Sequence, residues 1–156
     1  MYKHLLVAID GSHLSAAAVQ EAIQFAKAIG ARITFFNALE NFYATTLVGA
    51  DGLTIDPTVA ISLAKANKLF STSILEKAKD LAQQAGVVAE TEISENILVY
   101  EGIIDAAQSH GCDLIFMASH GRKGLSALMI GSETQRVLNH STIPVLVFRG
   151  EPSNKA

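Results

Sequence analysis

The chain has 156 residues, of which 49% are hydrophobic and only 17% charged, and its formal net charge at pH 7 is −3. This length predicts one domain with its own core, over residues 1–150, and a short C-terminal tail at 151–156. A single Cys cannot form an internal disulfide framework, and the scattered Lys and Arg give no basic face for nucleic acid. The longest apolar runs have five residues, far below the roughly 18 that cross a bilayer. The apolar excess then indicates a sheet buried on both faces or an apolar oligomer surface.

The first part of the chain predicts a strand, a helix and a second strand. Residues 5–9 (LLVAI) are a continuous apolar run, which is typical of a strand buried on both faces. Ser12 or Ser15 can cap the helix that follows, and Gly30 ends it where a left-handed residue is favoured. Residues 33–36 (ITFF) predict the second strand. The run after Met1 is too short for a signal peptide, so a cytoplasmic location is expected.

Residues 40–56 show no clear period and form the variable part of the domain. A helix begins after them, because Asp56 is a favoured N-cap and Pro57 a favoured first helical residue. The remaining predicted segments alternate: a helix ending at Gly86, a strand at 87–93, a helix at about 96–110, a strand at 113–118, a glycine-containing loop at 119–130, a helix at 132–139 and a strand at 144–148. Strands separated by helices pair in parallel through right-handed crossovers. The predicted fold class is therefore a doubly wound α/β fold with a five-stranded parallel sheet.

Ligand crevices in open α/β sheets lie beyond the carboxyl ends of the strands, where the strand order reverses. The loops at residues 10–12 and from 119 onward meet this description. In the second loop, Gly121 and Gly131 let the backbone approach a ligand closely. The helix opened by Ser132 offers unpaired N–H groups to an anion. The loop therefore resembles a cradle for a phosphate.

A structural interpretation of the same residues stays open. Ser132 followed by Gln135 has the pattern of a capping box, in which the serine satisfies its own helix. Asp10 before Gly11 is a common turn former. His120 lies in the candidate loop, where such a residue can contact a phosphate or simply order the loop.

Several catalytic arrangements are excluded. The chain has no G-x-S-x-G nucleophile elbow, and its five histidines show no metal-ligand spacing. A response-regulator site would pair Asp10 with an aspartate ending strand 3 and a lysine ending strand 5, and the sequence supplies neither there. Cys112 precedes a buried strand and is interpreted as a small core residue. No dedicated catalytic centre and no structural metal are expected.

Three blocks of the sequence resemble the universal stress protein family. Residues 117–132 (MASHGRKGLSALMIGS) match its signature of Gly, two residues, Gly, nine residues and Gly-Ser, except that Ala118 replaces the first Gly. Residues 6–12 (LVAIDGS) and 136–147 agree with the family as well. The resemblance spans the chain outside residues 40–56.

This resemblance implies a flavodoxin-like or Rossmann-like sheet of strand order 3-2-1-4-5, an ATP site and a homodimer. The implied nucleotide contacts, from the adenosine end to the phosphates, are Asp10, Ala38, Met117, Ala118, Gly121, Gly131 and Ser132. The Ala118 methyl group crowds a ligand that makes close backbone contact. Glu133 suits the helix dipole but competes with a phosphate for the same field. Mg²⁺ between the carboxylate and the phosphates reconciles the two.

The predicted function is a stress-response or signalling module that binds adenine nucleotide. Two alternatives stay open, a nucleotide-free dimeric interaction protein of the same fold and a slow ATPase that autophosphorylates, for example at Ser132. The last strand, at 143–148, would leave a long apolar sheet edge open to pairing. A homodimer through this strand resolves that hazard, and the alternative is a monomer in which the tail at 151–156 covers the edge.

Overall fold

The computed structural model describes residues 1–40, 56–96, 98–120 and 129–150. The strands are β1 His4–Ala8, β2 Arg32–Glu40, β3 Ala89–Asn96, β4 Leu114–Ala118 and β5 Val145–Phe148. The helices are α1 His13–Ile29, α2 Pro57–Gln84, α3 Val99–Ser109 and α4 Ser132–His140. The predicted tail and the interior of the variable segment lie outside the described residues. No helix within the described ranges is long and apolar enough to span a membrane.

All strand pairs are parallel, and their order across the sheet is β3-β2-β1-β4-β5. The predicted doubly wound α/β fold and the strand order 3-2-1-4-5 are therefore confirmed. The chain moves outward from β1 to β2 and β3 on one side, then returns to β4 on the other side of β1. The order thus reverses between β1 and β4, which places a ligand crevice at their carboxyl ends.

The central strands are buried on both faces and divide the interior into two cores. Leu5 and Val7 of β1 point into the core under α1 and α2, whereas Leu6 points into the core under α3 and α4. The neighbouring Phe35 and Phe36 do the same from β2, and both are at most 1% exposed. Burial of each such side chain contributes roughly 1.5–3 kcal/mol. The apolar excess of the composition is explained largely by this double-sided sheet.

Helix ends follow the local signals of the sequence. Ser12, rather than Ser15, caps α1, and its hydroxyl accepts a hydrogen bond from the Ser15 N–H at 3.1 Å. Gly30 ends α1 in the left-handed region, with φ of 69°. Asp56 caps α2 by accepting from the Thr58 N–H at 2.7 Å, and Pro57 is the first helical residue.

A buried polar group lies at the opposite, amino-terminal end of the sheet. The side chain of His4 is nearly inaccessible, and its Nε2 lies 2.8 Å from the Thr34 hydroxyl, which donates to Glu90 at 2.9 Å. Because that hydroxyl donates to the carboxylate, Nε2 of His4 must carry the proton given to Thr34. The buried Nδ1 then has no partner among the described residues. Burial, and next Arg32, lower the pKa of His4, while Glu90 opposes them.

We expect the free energy of unfolding to fall as the pH drops below about 6.5. Unfolded His4 takes up a proton in that range, whereas folded His4, with its lowered pKa, takes one up less readily. In the variant His4→Gln, which keeps a donor toward Thr34, the free energy of unfolding should fall less between about pH 7.5 and 5.5 than in the parent. Chemical denaturation of both proteins at the two pH values measures this difference. The pKa values of Glu90 and Asp113 are also lowered, but both carboxylates titrate well below this window and are present in both proteins. Equal losses in parent and variant would contradict the assignment to His4.

Candidate functional site

A cleft of about 460 Å³ opens at the carboxyl ends of β1, β2 and β4. Its lining includes every predicted nucleotide contact that the structure describes, namely Asp10, Ala38, Met117, Ala118, Gly131, Ser132 and Glu133. Gly121 lies outside the described residues. The structure thus brings together residues that are far apart in the sequence, and their contacts to a nucleotide stay predictions.

The loop between β1 and α1 forms one wall of the cleft. Asp10 accepts the Ser12 N–H at 2.9 Å through its carboxylate, and its own N–H donates to the Ser15 hydroxyl at 3.2 Å. The turn-forming role that the sequence left open for Asp10 is therefore present. It coexists with a place in the lining of the cleft.

The backbone angle of Gly11 favours glycine in this loop, and the tip of the Phe70 ring lies against it. Its φ is 77°, which L side chains rarely adopt, and a Cβ there would lie 2.6 Å from Cζ of Phe70. The ring of Phe70, on α2, therefore packs directly on the loop backbone next to Asp10. The second helix is thereby part of the same wall.

Ser119 connects the end of the sheet to the beginning of α4. Its N–H donates to the Phe148 carbonyl and its carbonyl accepts from the Gly131 N–H, both at 2.7 Å. The Thr134 hydroxyl adds a bond to the Ala118 carbonyl at 3.1 Å. These bonds hold the amino terminus of α4 against the end of β4.

Gly131 is favoured by close packing and not by its backbone angles. Its φ of −64° is open to any residue, but a Cβ would lie 3.1 Å from Cα of His120 and 3.4 Å from the Ser119 carbonyl oxygen. His120 lines the cleft too, and its Nδ1 lies 3.1 Å from the Ser119 hydroxyl. An added Cβ would therefore press on the backbone of His120, which would have to yield by a few tenths of an ångström.

The capping-box interpretation of α4 is wrong. Gly131 is the N-cap, and the Gln135 side chain donates instead to the Ile130 carbonyl at 3.1 Å. Ser132 thereby becomes the first helical residue, and its exposed hydroxyl makes no hydrogen bond to any described residue. The N–H groups of the first turn have no acceptor within the helix. This end of α4 therefore presents several donors to the cleft.

Glu133 has a structural role that the sequence did not indicate. One carboxylate oxygen accepts the Tyr100 N–H at 3.0 Å, and the other accepts from Arg136 at 2.9 Å. The N-cap residue of α3, Leu98, provides no side-chain bond of its own. Glu133 thus caps α3 from a neighbouring helix, and Arg136 offsets its charge.

Glu133→Ala should lower the free energy of unfolding by about 1 kcal/mol, because the amino terminus of α3 loses its cap. Glu133→Gln keeps an acceptor for the Tyr100 N–H and should cost clearly less. Urea denaturation measures both, with Glu76→Ala as the control for loss of an exposed carboxylate on α2. If the Ala and Gln variants are equally stable, the capping role is refuted.

The sequence did not identify four polar residues of the lining, namely Asn37, Asn67, Ser71 and Thr134. Asn37 directly follows the predicted second strand and precedes Ala38, which is the one local signal that could have found it. Cys112 is buried as expected, and burial raises the pKa of its thiol to about 11. Its thiol is therefore un-ionised at neutral pH.

Comparison with known proteins gives the same identification over nearly the whole chain. A profile of the universal stress protein family matches residues 1–149. Universal stress protein YxiE of Bacillus subtilis is 35% identical over 96% of this chain and 100% of its own length. Universal stress protein MJ0531 of Methanocaldococcus jannaschii is 30% identical over 96% of this chain and 83% of its own.

Solved structures agree with the fold. Universal stress protein UspA from Lactobacillus plantarum superposes with a TM-score of 0.78 at 25% identity, covering 95% of this chain and 98% of its own. A universal stress protein in complex with cAMP superposes with a TM-score of 0.65 at 23% identity, covering 94% of this chain and 97% of its own. With its strand order, its cleft and these relatives in agreement, the chain belongs to the universal stress protein family.

Proposed function

We propose that this protein binds adenine nucleotide, specifically ATP, in the cleft and acts in the cytoplasm as a stress-response or signalling module rather than through a dedicated catalytic centre. The observation that carries the proposal is the amino terminus of α4, where a glycine cap leaves the Ser132 hydroxyl and the first-turn N–H groups available. This donor-rich end lies in the same cleft as Asp10 and Ala38. The cleft volume of about 460 Å³ lies within the usual range of cofactor sites.

The phosphates belong at the end of the cleft formed by α4. The helix dipole and the unpaired N–H groups favour an anion there, and Ser132 adds a hydroxyl donor. Glu133 is the opposing charge, but its carboxylate is engaged by Tyr100 and Arg136. The competition between the Glu133 carboxylate and a phosphate, which the sequence indicated, is therefore reduced.

The adenosine half belongs at the end formed by β1 and β2. Asp10 offers an acceptor to a ribose hydroxyl or the adenine amine, and Ala38 offers its backbone. Ile103 and Met117 in the lining give apolar contact to a flat base. The relative solved in complex with cAMP supports an adenine nucleotide as the ligand class.

The lining fits Mg-ATP better than free ATP. Among the described residues the lining carries the carboxylates of Asp10 and Glu133 and no Lys or Arg, so a triphosphate needs a cation beside it. The described residues hold no group of three or more His, Cys, Asp or Glu placed to bind a metal by itself. The phosphates would therefore supply part of the Mg²⁺ coordination, as is usual for this ion. Bound there, Mg²⁺ would neutralise the phosphates.

The first experiment is to denature the purified protein and separate the released small molecules by anion exchange, followed by calorimetric titration of nucleotide-free protein with Mg-ATP. Released nucleotide or a measurable Kd supports the proposal. If no nucleotide is released and no heat is seen, the protein is better described as a nucleotide-free interaction protein. Mass spectrometry after incubation with ATP tests phosphorylation of the peptide that contains Ser132.

Ser132→Ala should weaken Mg-ATP binding about fivefold, the effect of losing one hydrogen bond of about 1 kcal/mol. The matched control is Ser73→Ala, which removes an exposed hydroxyl from α2 outside the cleft. Calorimetry with Mg-ATP compares the two variants with the parent. Equal affinity of the parent and Ser132→Ala would remove Ser132 from the phosphate site.

The edge of the sheet supports the proposal of a homodimer through residues 143–148. The carbonyls of Pro144 and Phe148 accept hydrogen bonds from the β4 side, at 2.9 and 2.7 Å. Because backbone groups of successive strand residues point to opposite sides, Val145 and Val147 direct theirs away from β4. All of β5 is partly exposed, whereas all of β4 is buried. A second copy of β5 would satisfy these outward groups.

A further inference from the structure

Two buried polar side chains form a hydrogen-bonded chain across the adenosine end of the cleft. The Ser71 hydroxyl on α2 donates to Oδ1 of Asn37 on β2 at 2.7 Å. Nδ2 of Asn37 donates to the Ile9 carbonyl, also at 2.7 Å. Asn37 is 7% exposed and Ser71 is 2% exposed. The chain therefore connects α2, β2 and the residue just before Asp10.

The orientation of the Asn37 amide follows from these partners. The Ile9 carbonyl can only accept a hydrogen bond, so the nitrogen of the amide must face it and the oxygen must face Ser71. After these two bonds the amide still has one N–H and one oxygen lone pair. It can therefore offer a donor and an acceptor while held in a single orientation.

Packing alone does not account for this pair. Asn37 lies on the face of β2 that buries Ile33 and Phe35 beneath α1 and α2. The bond to Ile9 satisfies a backbone carbonyl, but it uses only one of the two N–H groups of Asn37 and leaves the other, with an oxygen lone pair, for a ligand. Both Asn37 and Ser71 line the cleft, and Asn37 directly precedes Ala38. Their position thus indicates a role toward a ligand.

We propose that Asn37 determines the preference of the cleft for adenine over guanine, and that Ser71 is the residue that positions its amide. This inference rests on the proposed function. Adenine presents an amino donor beside a ring-nitrogen acceptor, and guanine presents a carbonyl acceptor in place of that amino group. An amide that is free to rotate could serve either base. An amide held by Ser71 and Ile9 matches one pattern and leaves the other with unpaired groups, which is an effective source of discrimination.

The test is calorimetric titration with Mg-ATP and with Mg-GTP, and the quantity compared is the ratio of the two dissociation constants. Asn37→Ala should reduce the preference for ATP by about tenfold or more. Ser71→Ala, which leaves the amide one of its two anchors, should reduce it about threefold. The matched control is Thr72→Ala, because, within the described part of the chain, that exposed hydroxyl bonds only the Lys68 carbonyl of its own helix. The control should keep the parental ratio.

Several outcomes separate this inference from the proposed function. If the parent binds neither nucleotide, both fail together. If the parent prefers ATP and both variants keep its ratio, the inference alone is overturned, and the same holds if the variants lose both affinities equally. If Asn37→Ala fails to fold, the ratio of dissociation constants measured for Ser71→Ala tests the inference. NMR of the Asn37 side-chain amide then adds a readout without ligand, with faster exchange of its protons expected in Ser71→Ala than in the parent or Thr72→Ala.

Discussion

Replacing Gly131 with valine is expected to weaken Mg-ATP binding by at least about a hundredfold. Even a Cβ at this position lies 3.1 Å from Cα of His120, and valine adds two further methyl groups in the same space. Relief of this overlap requires α4 to move away from the loop, which breaks the 2.7 Å bond between the Gly131 N–H and the Ser119 carbonyl. The donors at the helix terminus then no longer converge on one point. Calorimetry measures the loss.

Gly131→Ala gives the graded version of this experiment, because its neighbours need to yield only a few tenths of an ångström. The control for general loss of stability is Gly86→Ala. That glycine has φ of 79° with no atom within 4 Å of an added Cβ, so alanine is strained by about 1 kcal/mol but touches nothing. The melting temperature of Gly86→Ala should lie below that of the parent, while its affinity for Mg-ATP should be unchanged. Parental affinity in Gly131→Val would refute the role of α4 in phosphate binding.

Replacing Val147 with proline is expected to convert the proposed homodimer to a monomer, with a rise of at least about a hundredfold in the dissociation constant of the dimer. Proline removes an N–H that points away from β4, so the pairing within the subunit is retained. Its ring also projects toward an approaching strand, and proline is tolerated on edge strands for that reason. Analytical ultracentrifugation over a concentration series measures the change.

Val147→Ala separates backbone pairing from side-chain burial, because it keeps the N–H and removes only two methyl groups. This variant should remain a dimer under conditions in which Val147→Pro is monomeric. A parent that sediments as a monomer at every concentration would rule out the dimer. A dimer that persists in Val147→Pro would place the interface elsewhere.

The features that were predictable from the sequence are those determined by neighbouring residues. The apolar run at 5–9 indicates a strand buried on both faces, and Asp56-Pro57 and Gly30 mark helix ends by local backbone chemistry. The alternation of strands and helices leads to a parallel sheet. The crevice rule then brings Asp10 and Gly131 to one end of that sheet.

The features that could not be predicted depend on partners far away in the chain. The second strand was expected to end at Phe36, but β2 continues to Glu40, because its backbone stays paired with β3 as far as Asn96. Glu133 was interpreted through the dipole of its own helix and a nearby phosphate, whereas it also caps α3. Sequence spacing carries no sign of such bonds between separate helices and strands.

Ser119 has a consequence for how the proposed ligand and the proposed dimer act on each other. This one buried residue is bonded to the outermost strand through its N–H and to Gly131 through its carbonyl. A shift of β5 on association would therefore reach the cleft through the two peptide groups that flank this residue. By thermodynamic reciprocity, the factor by which nucleotide changes the dissociation constant of the dimer must equal the factor by which dimerisation changes the affinity for nucleotide. A change in either protein concentration or nucleotide concentration would then shift both dimerisation and nucleotide binding.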